Sequence, residues 1–264
     1  MSARWMARKY ILSQTKIYES LVAELESEDT TETVQSTTPS LLNEALCIMA
    51  EQRKLTGRIQ DNAGDSSFSA TIDIDGRRKR LASRIEKWRM LQKTVVPQVG
   101  DFVAQQAISK KFADSPKKEV LYIPSDFSES QCVRLDLIDL GKQERQFHEG
   151  AACDAIQTVR TITKTISSMR ANKKAQDYGQ QMHTWSIAQI LDVEHRQTIA
   201  MNDYSAARNA MLKLGLSKDD PCFPPLDLKD LYRKPTNIKR ARNFSCGPNI
   251  TICHWNTISP ISKK

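Results

Sequence analysis

Glycine is scarce. Nine occur in 264 residues, and runs of Ala, Gln, Glu, Lys, Arg and Leu favour helix over sheet. No GxxxxGK[ST], GxGxxG or GxSxG occurs, so neither a phosphate-cradling loop nor a nucleophile elbow is signalled. No apolar run approaches ~18 residues, so nothing in the sequence reads as a membrane span. The opening stretch MSARWMARKYILSQTKIYES has no apolar central segment and does not read as a secretory signal. The apolar fraction, 39%, lies below the usual range. The six cysteines, Cys47, Cys132, Cys153, Cys222, Cys246 and Cys253, form no CxxC pair. That spacing fits neither a zinc ribbon nor a small disulfide scaffold. Reduced thiols in an intracellular protein are the simple reading.

What the chain does have is positive charge, a net +8 with pI near 9.2. Such a balance suits contact with nucleic acid or another acidic surface, and it equally suits plain solubility. The densest block is RRKRLASRIEKWRMLQK, residues 77–93, with eight cations and one acid, Glu86. Within it Leu81, Ile85, Trp88, Leu91 and Val95 step by four, three, three and four, one stripe of a helix. Arg77, Arg78, Arg84 and Lys87 are expected to project away from that stripe. Pro97 reads as a kink, with the apolar face continuing through Val99, Phe102 and Val103 to about Phe112. A cationic face of this kind tracks phosphates with salt-dependent affinity. The other reading is a solvated face paired with acids such as Glu24, Glu26 or Glu28.

The rest of the chain divides by periodicity. Residues 3–26 read as a helix, and the acidic, Ser/Thr-rich residues 26–40 as a mobile linker. A helix capped by Ser40 carries Leu41, Leu42, Ala45, Ile48, Met49 and Leu55 on one face. Residues 60–76 read as a loop with turn formers at Asn62, Gly64 and Gly76. Residues 115–127 form a connector in which Val120, Tyr122 and Ile123 lie extended across a neighbouring helix, and Ser128 with Gln131 makes an approximate capping box. Two long helices follow. The first, 129–175, has the stripe Leu140, Phe147, Ala151, Ala155, Val159, Ile162, Ile166 and Met169. The second, 180–214, buries Ile187, Leu191, Met201, Tyr204, Met211 and Leu214 and ends at Gly215. Asp177 and Gly179 suit the turn between them, which makes an antiparallel hairpin. Beyond Gly215 prolines exclude a long helix, and residues 243–264 read as a weakly ordered tail.

The stretch QFHEGAACDAIQTVR, residues 146–160, superficially offers catalytic chemistry. A zincin box needs His at i and i+4, but position 152 is Ala. Cys153 lies about 140° around the helix from His148, so the two neither chelate one ion nor form a nucleophile–base pair. The bland reading is a solvated His148 and a small buried thiol. Cys246, Cys253 and His254, even with Cys222, match no common zinc scheme. His183 and His195, about 18 Å apart in rise, cannot share an ion. Asp219 and Asp220 sit in a Pro-rich loop where turn chemistry explains them.

Four of these stretches resemble, in order, a known family. RIEKWRMLQKTVVPQV (84–99) is similar to the Arg-Ile-x-x-Trp-Arg-x-x-Gln…Pro-x-Val stretch of the fungal Kyakuja–Dileera–Zisupton (KDZ) transposases. YIPSDFS resembles the Pro-Ser element before their next helix. FHEGAACDAIQTVR is similar to Leu-Arg-Glu-Gly-x-Ala-x-Asp-Ala-Leu-x-x-Leu-Arg, with Phe147 in place of Leu and His148 in place of Arg. YSAARNAMLKLG (204–215) resembles Tyr-x-x-Ala-Arg-x-Ala-Met-x-x-Leu-Gly. The resemblance covers residues 40–231 and implies the helical region that follows the family's RNase H-like core. The acids of that core have no counterpart here, nor does the cysteine cluster found ahead of it in many relatives.

These readings give an all-α, elongated helical bundle built on a long antiparallel hairpin, with a disordered linker and C-terminal tail. Its expected parts are N-terminal helices in 1–60, a main domain in 77–215 (basic helix 77–112, hairpin 129–214), and a connector and tail in 216–264. The expected function is that of a non-catalytic remnant of a KDZ-type transposase, intracellular, and nuclear for a chain that meets DNA. As a sequence-tolerant module it would contact duplex DNA through Arg77, Arg78, Lys79, Arg80, Arg84, Lys87 and Arg89. The alternative is a helical scaffold that binds other helical proteins or itself, or a decayed gene product. No catalytic residue, metal, cofactor, membrane contact or small-molecule substrate is expected.

Overall fold

The computed structural model describes residues 12–27, 37–62, 67–109, 116–176 and 180–231, and among these every regular element is helical. In chain order they are α1 (Gln14–Ser27), α2 (Thr38–Asp61), α3 (Phe68–Val95), α4 (Pro97–Ser109), α5 (Glu129–Arg134), α6 (Ile138–Gln176), α7 (Gln180–Lys213) and a single turn, α8 (Leu228–Leu231). Two 3-10 turns, Pro116–Lys118 and Pro124–Asp126, bound an extended strap between α4 and α5. No helix among the described residues is long and apolar enough to cross a membrane.

Several boundaries differ from the sequence reading. The cap of α2 is Thr37 rather than Ser40, because Pro39 suits the first turn of a helix, where its missing N–H costs nothing. α3 begins at Phe68 rather than near 77. The Ser67 hydroxyl accepts from the Ala70 N–H at 3.3 Å, and Gly76 lies inside the helix rather than in a loop. Ion pairs across that segment, Asp73–Arg77 and Asp75–Arg78, offset the low helix propensity of a glycine. Pro97 breaks the helix outright. Val96 takes φ −135° and ψ 72°, since the residue before a proline is driven out of the α region. Its N–H still bonds Gln92, and its carbonyl accepts from Val99 and Gly100 to open α4.

The helix expected from 129 is also interrupted. α5 has the full capping box: the Ser128 N–H donates to Gln131 Oε1 at 2.9 Å, and Ser128 Oγ accepts from the Gln131 N–H at 3.4 Å. It then stops where Asp136 adopts φ 52°. The Leu137 N–H reaches Cys132 and the Asp136 N–H reaches Val133, the paired bonds of a left-handed helix end. Gly215 closes α7 the same way at φ 87°, with Leu216 bonded to Met211 and Gly215 to Leu212.

α6 and α7 form the hairpin. They are antiparallel throughout: Gly141 faces Leu214, Gln197 Nε2 donates to Thr163 Oγ1 at 2.6 Å, and Arg170 pairs with Glu194. At 39 residues α6 is about 58 Å long. Ile190, Gln197, Tyr204 and Met211 are buried on α7, and Ala152, Val159 and Ile166 on α6. Both series run in sevens, the repeat of coiled-coil packing. Ile187 and Leu191, expected inside, are 38% and 59% exposed. Leu191 lies one residue after Ile190, which is on the seven-residue line, and Ile187 lies three residues before it, about 60° around the helix. The linker residues 28–36, the turn 177–179 and the tail 243–264 lie outside the described residues.

Three clusters pack the other helices and the segment after Gly215 around this hairpin. The largest sets Leu41, Ala45, Ile48 and Leu55 of α2 against Leu81, Ile85 and Trp88 of α3, closed by Val99 of α4 and by Leu121 and Ile123 of the strap. In the second, Phe223 and Leu216 fold back on Ala152, Ala155, Tyr204, Ala207 and Met211. Tyr204 and Arg208 hold that Pro-rich segment by its carbonyls, at Pro224, Phe223 and Lys218. The third, Leu42, Leu46 and Phe147, lies under α1.

Candidate nucleic-acid interface

α3 carries all seven of the cations expected to meet phosphate. At 100° per residue, seven cations within thirteen positions cannot share one face, and the structure distributes them among neighbours. Arg77 donates to Asp73 at 2.8 Å and Arg78 to Asp75 at 2.9 Å, both pairs within α3. The Arg77 hydrogen bond holds the Asp73 carboxyl below its ordinary range. Arg84 turns toward α2, where it grips both oxygens of Glu44 and also pairs with Glu51. That bond to Glu44 strengthens the charged form of the guanidinium, with burial acting weakly the other way.

Arg89 is further inside. Its guanidinium donates to the carbonyls of Leu121, at 2.7 Å, and Val120, and to Gln92 Oε1 at 2.8 Å. It pairs with Glu119 at 3.5 Å and lies 5.2 Å from the Trp88 ring and 5.5 Å from that of Tyr122. Burial pushes its pKa down, and Glu119 opposes the shift. Arg89 and Gln92 together clamp the strap: Gln92 Nε2 donates to the carbonyls of Leu121 and Tyr122, each at 3.1 Å. The clamp holds Tyr122 at φ 58°, a conformation L residues adopt at a cost. The ring contacts of Tyr122 with Phe102 and Phe127 help to fix it there. Within the strap Leu121 and Ile123 are buried, while Val120, expected to share that packing, is 48% exposed.

Lys79, Arg80 and Lys87 are exposed. Arg80 and Lys87, seven apart, lie within about 20° of one line and about 10 Å apart along the axis. The chain before residue 232 is nearly neutral as a whole. Residues 232–264 hold seven of the thirty-nine Lys and Arg and no Asp or Glu, so residues 1–231 carry thirty-two cations against thirty-one acids. The net +8 is therefore almost entirely a property of the last 33 positions, outside the described residues, and not of the helical body.

The histidine of the 146–160 stretch is not solvated, as the sequence had suggested. His148 is 3% exposed, and its Nε2 lies 3.2 Å from Oε1 of the fully buried Glu144, whose other oxygen accepts from the Ser125 N–H at 3.0 Å. The spacing of Glu144 and His148, one helical turn, was the available signal. Cys153 is half-buried. Gly150 and Asp154 seat α1: the Gln14 N–H donates to Asp154 Oδ2 at 3.0 Å, and α1 passes directly over Gly150. His195 pairs with Asp61 at 3.5 Å. No group of three or more His, Cys, Asp or Glu suited to a metal occurs among the described residues. Cys246, Cys253 and His254 lie outside them. No family model, curated protein or solved structure matches the chain.

Proposed function

We propose that this chain is a non-catalytic helical interaction module, whose packed helical surfaces rather than a phosphate-tracking helix carry its role. The observation that supports this reading is the engagement of Arg84 and Arg89. The two most inward cations of the basic block tie α3 to α2 and to the strap, so they hold the fold together. The four ordered sequence stretches support a kinship with the helical region of KDZ-type transposases.

A second reading, sequence-tolerant contact with duplex DNA, is favoured by the exposed Lys79, Arg80 and Lys87. The two readings differ in salt dependence. Three phosphate contacts imply a fall in affinity of about forty-fold between 50 and 200 mM salt, whereas six or more imply ~10³-fold. Anisotropy of a labelled 30-base-pair duplex titrated with the full chain separates them. Under the module reading binding is absent or weakly salt-dependent. A fall of about forty-fold or more that flattens when Lys79, Arg80 and Lys87 become Gln would overturn it in favour of the DNA reading. The same samples, incubated with magnesium or manganese, should leave the duplex uncut. Cleavage removed by a single Asp or Glu substitution would show that the chain is an enzyme.

A further inference from the structure

Phe68 and Met90, 82% and 71% exposed, are the two most exposed large apolar side chains among the described residues, and both belong to α3. Ile72, 55% exposed, lies between them. At 100° per residue, Phe68, Ile72, Lys79, Glu86 and Met90 fall within about 40° of one another, over about 33 Å of helix. Their line runs along the side of α3 opposite Leu81, Ile85 and Trp88, which are buried in the largest cluster. Scattered singly, such apolar residues would need no explanation; aligned on one outer face they mark an interaction surface.

The charges on that face say what fits it. Lys79 and Glu86 are both exposed, and neither is ion-paired among the described residues. Seven residues apart, they stand about 10 Å from each other along the axis, too far to pair within one helix. Midway between them are Ala82 and Ser83, small and exposed. A two-fold axis across α3 at Ala82 and Ser83 sets Lys79 against the partner's Glu86 and Glu86 against the partner's Lys79. The same axis brings Ile72 within one turn of the partner's Met90. A parallel arrangement would instead oppose lysine to lysine and glutamate to glutamate. The face is therefore complementary to itself, reversed. Arg80 and Lys87 lie about 80–100° from the middle of the line and stay at the rim, in solvent.

We infer that the outer face of α3 is a self-association surface, on which a second copy of this chain packs its own α3 antiparallel. Isologous contact of this kind needs one patch that meets itself through a two-fold axis, and the Lys79–Glu86 spacing supplies the register. A face about 33 Å long and about 10 Å wide covers only a few hundred Å² per copy, so the dimer is weak and depends on concentration. The inference rests on the module reading and names its partner. Its test contains no DNA, so its failure and the outcome of the duplex titration are distinguishable.

Sedimentation equilibrium of the full chain, from about 1 to 200 μM, follows the monomer–dimer balance. The parent should dimerise within that range. Lys79→Glu and Glu86→Lys, each alone, should weaken the dimer by about ten-fold or more, because like charges then meet at two places. An equimolar mixture of the two variants should regain the parent's affinity, since every acid again faces a lysine. Ile72→Ser and Met90→Ser should each weaken the parent dimer by several-fold. All four positions are exposed, so helical circular dichroism should be unchanged; if a charge variant loses it, the two serine variants decide. A parent that stays monomeric throughout would overturn the inference and leave the module reading to the duplex titration. Charge variants that dimerise as the parent does, or a mixture that stays monomeric, would overturn it too.

Discussion

The indole N–H of Trp88 donates to the main-chain carbonyl of Leu41 at 3.0 Å, across 47 residues of sequence, with 1% of the Trp88 surface exposed. This bond fixes where along α2 the basic helix sits, because Leu41 lies in the first turn of α2 and Trp88 in the last third of α3. Trp88→Ala should destabilise the protein by about 3–5 kcal/mol, through lost burial and a residual cavity. Trp88→Phe keeps most of the apolar area and should cost about 1–2 kcal/mol. Urea denaturation checks both, and a loss below about 1 kcal/mol for the alanine variant would contradict the burial.

Arg84 lies between two glutamates of α2, with 32% of its side chain exposed. Exposed pairs contribute little, but a two-oxygen grip on Glu44 backed by Glu51 is a network. Arg84→Gln should cost about 1–2 kcal/mol, and Arg84→Lys should recover less than half of that, since an ammonium cannot reproduce the planar fork. If the lysine variant matches the parent in a denaturant series, simple charge is enough and the grip is unimportant.

Two helix ends use the same left-handed geometry with different residues. Gly215 at φ 87° suits it; Asp136 at φ 52° does not. Gly215→Ala should lower stability by about 1 kcal/mol, and Asp136→Gly should raise it by up to about 1 kcal/mol. Opposite shifts in melting temperature are the expected result, and shifts of the same sign would contradict it.

Tyr204 gives a pH signature. Its hydroxyl donates to the Pro224 carbonyl at 2.6 Å, and burial pushes its pKa up to about 12. In the unfolded chain a tyrosine ionises near pH 10. The folded state therefore keeps the proton longer. The stability this provides is complete below about pH 10 and disappears as pH rises to about 12, a loss on the order of 1–3 kcal/mol. Tyr204→Phe should flatten the stability curve in that window. Unchanged curvature would mean other groups govern alkaline unfolding.

The sequence by itself determined the helical class, the burial of Trp88, the capping box at Ser128 and the stop at Gly215. Each of these depends on spacing within a few residues: the 3.6-residue stripe, a polar cap three positions from its partner, and a glycine where only left-handed backbone closes a helix. It also placed the two arms of the hairpin, although the line through Ile190 and Gln197 replaced the more apolar Ile187 and Leu191. A stripe says which residues could be buried, and the facing helix selects among them.

The tertiary structure decided the rest. Whether Arg84 and Arg89 face solvent depends on Glu44, Glu51 and the carbonyls of Val120 and Leu121, tens of residues away in the chain, which no local pattern reveals. His148 resembles a surface residue in sequence because histidine is polar, yet the buried Glu144 one turn earlier gives its ring nitrogen a partner and makes its burial tolerable. The role of Gly150 is invisible until α1 lies across it. Periodicity is a local property of one helix, whereas the fate of a charge is fixed by whichever distant group the fold brings within hydrogen-bond reach.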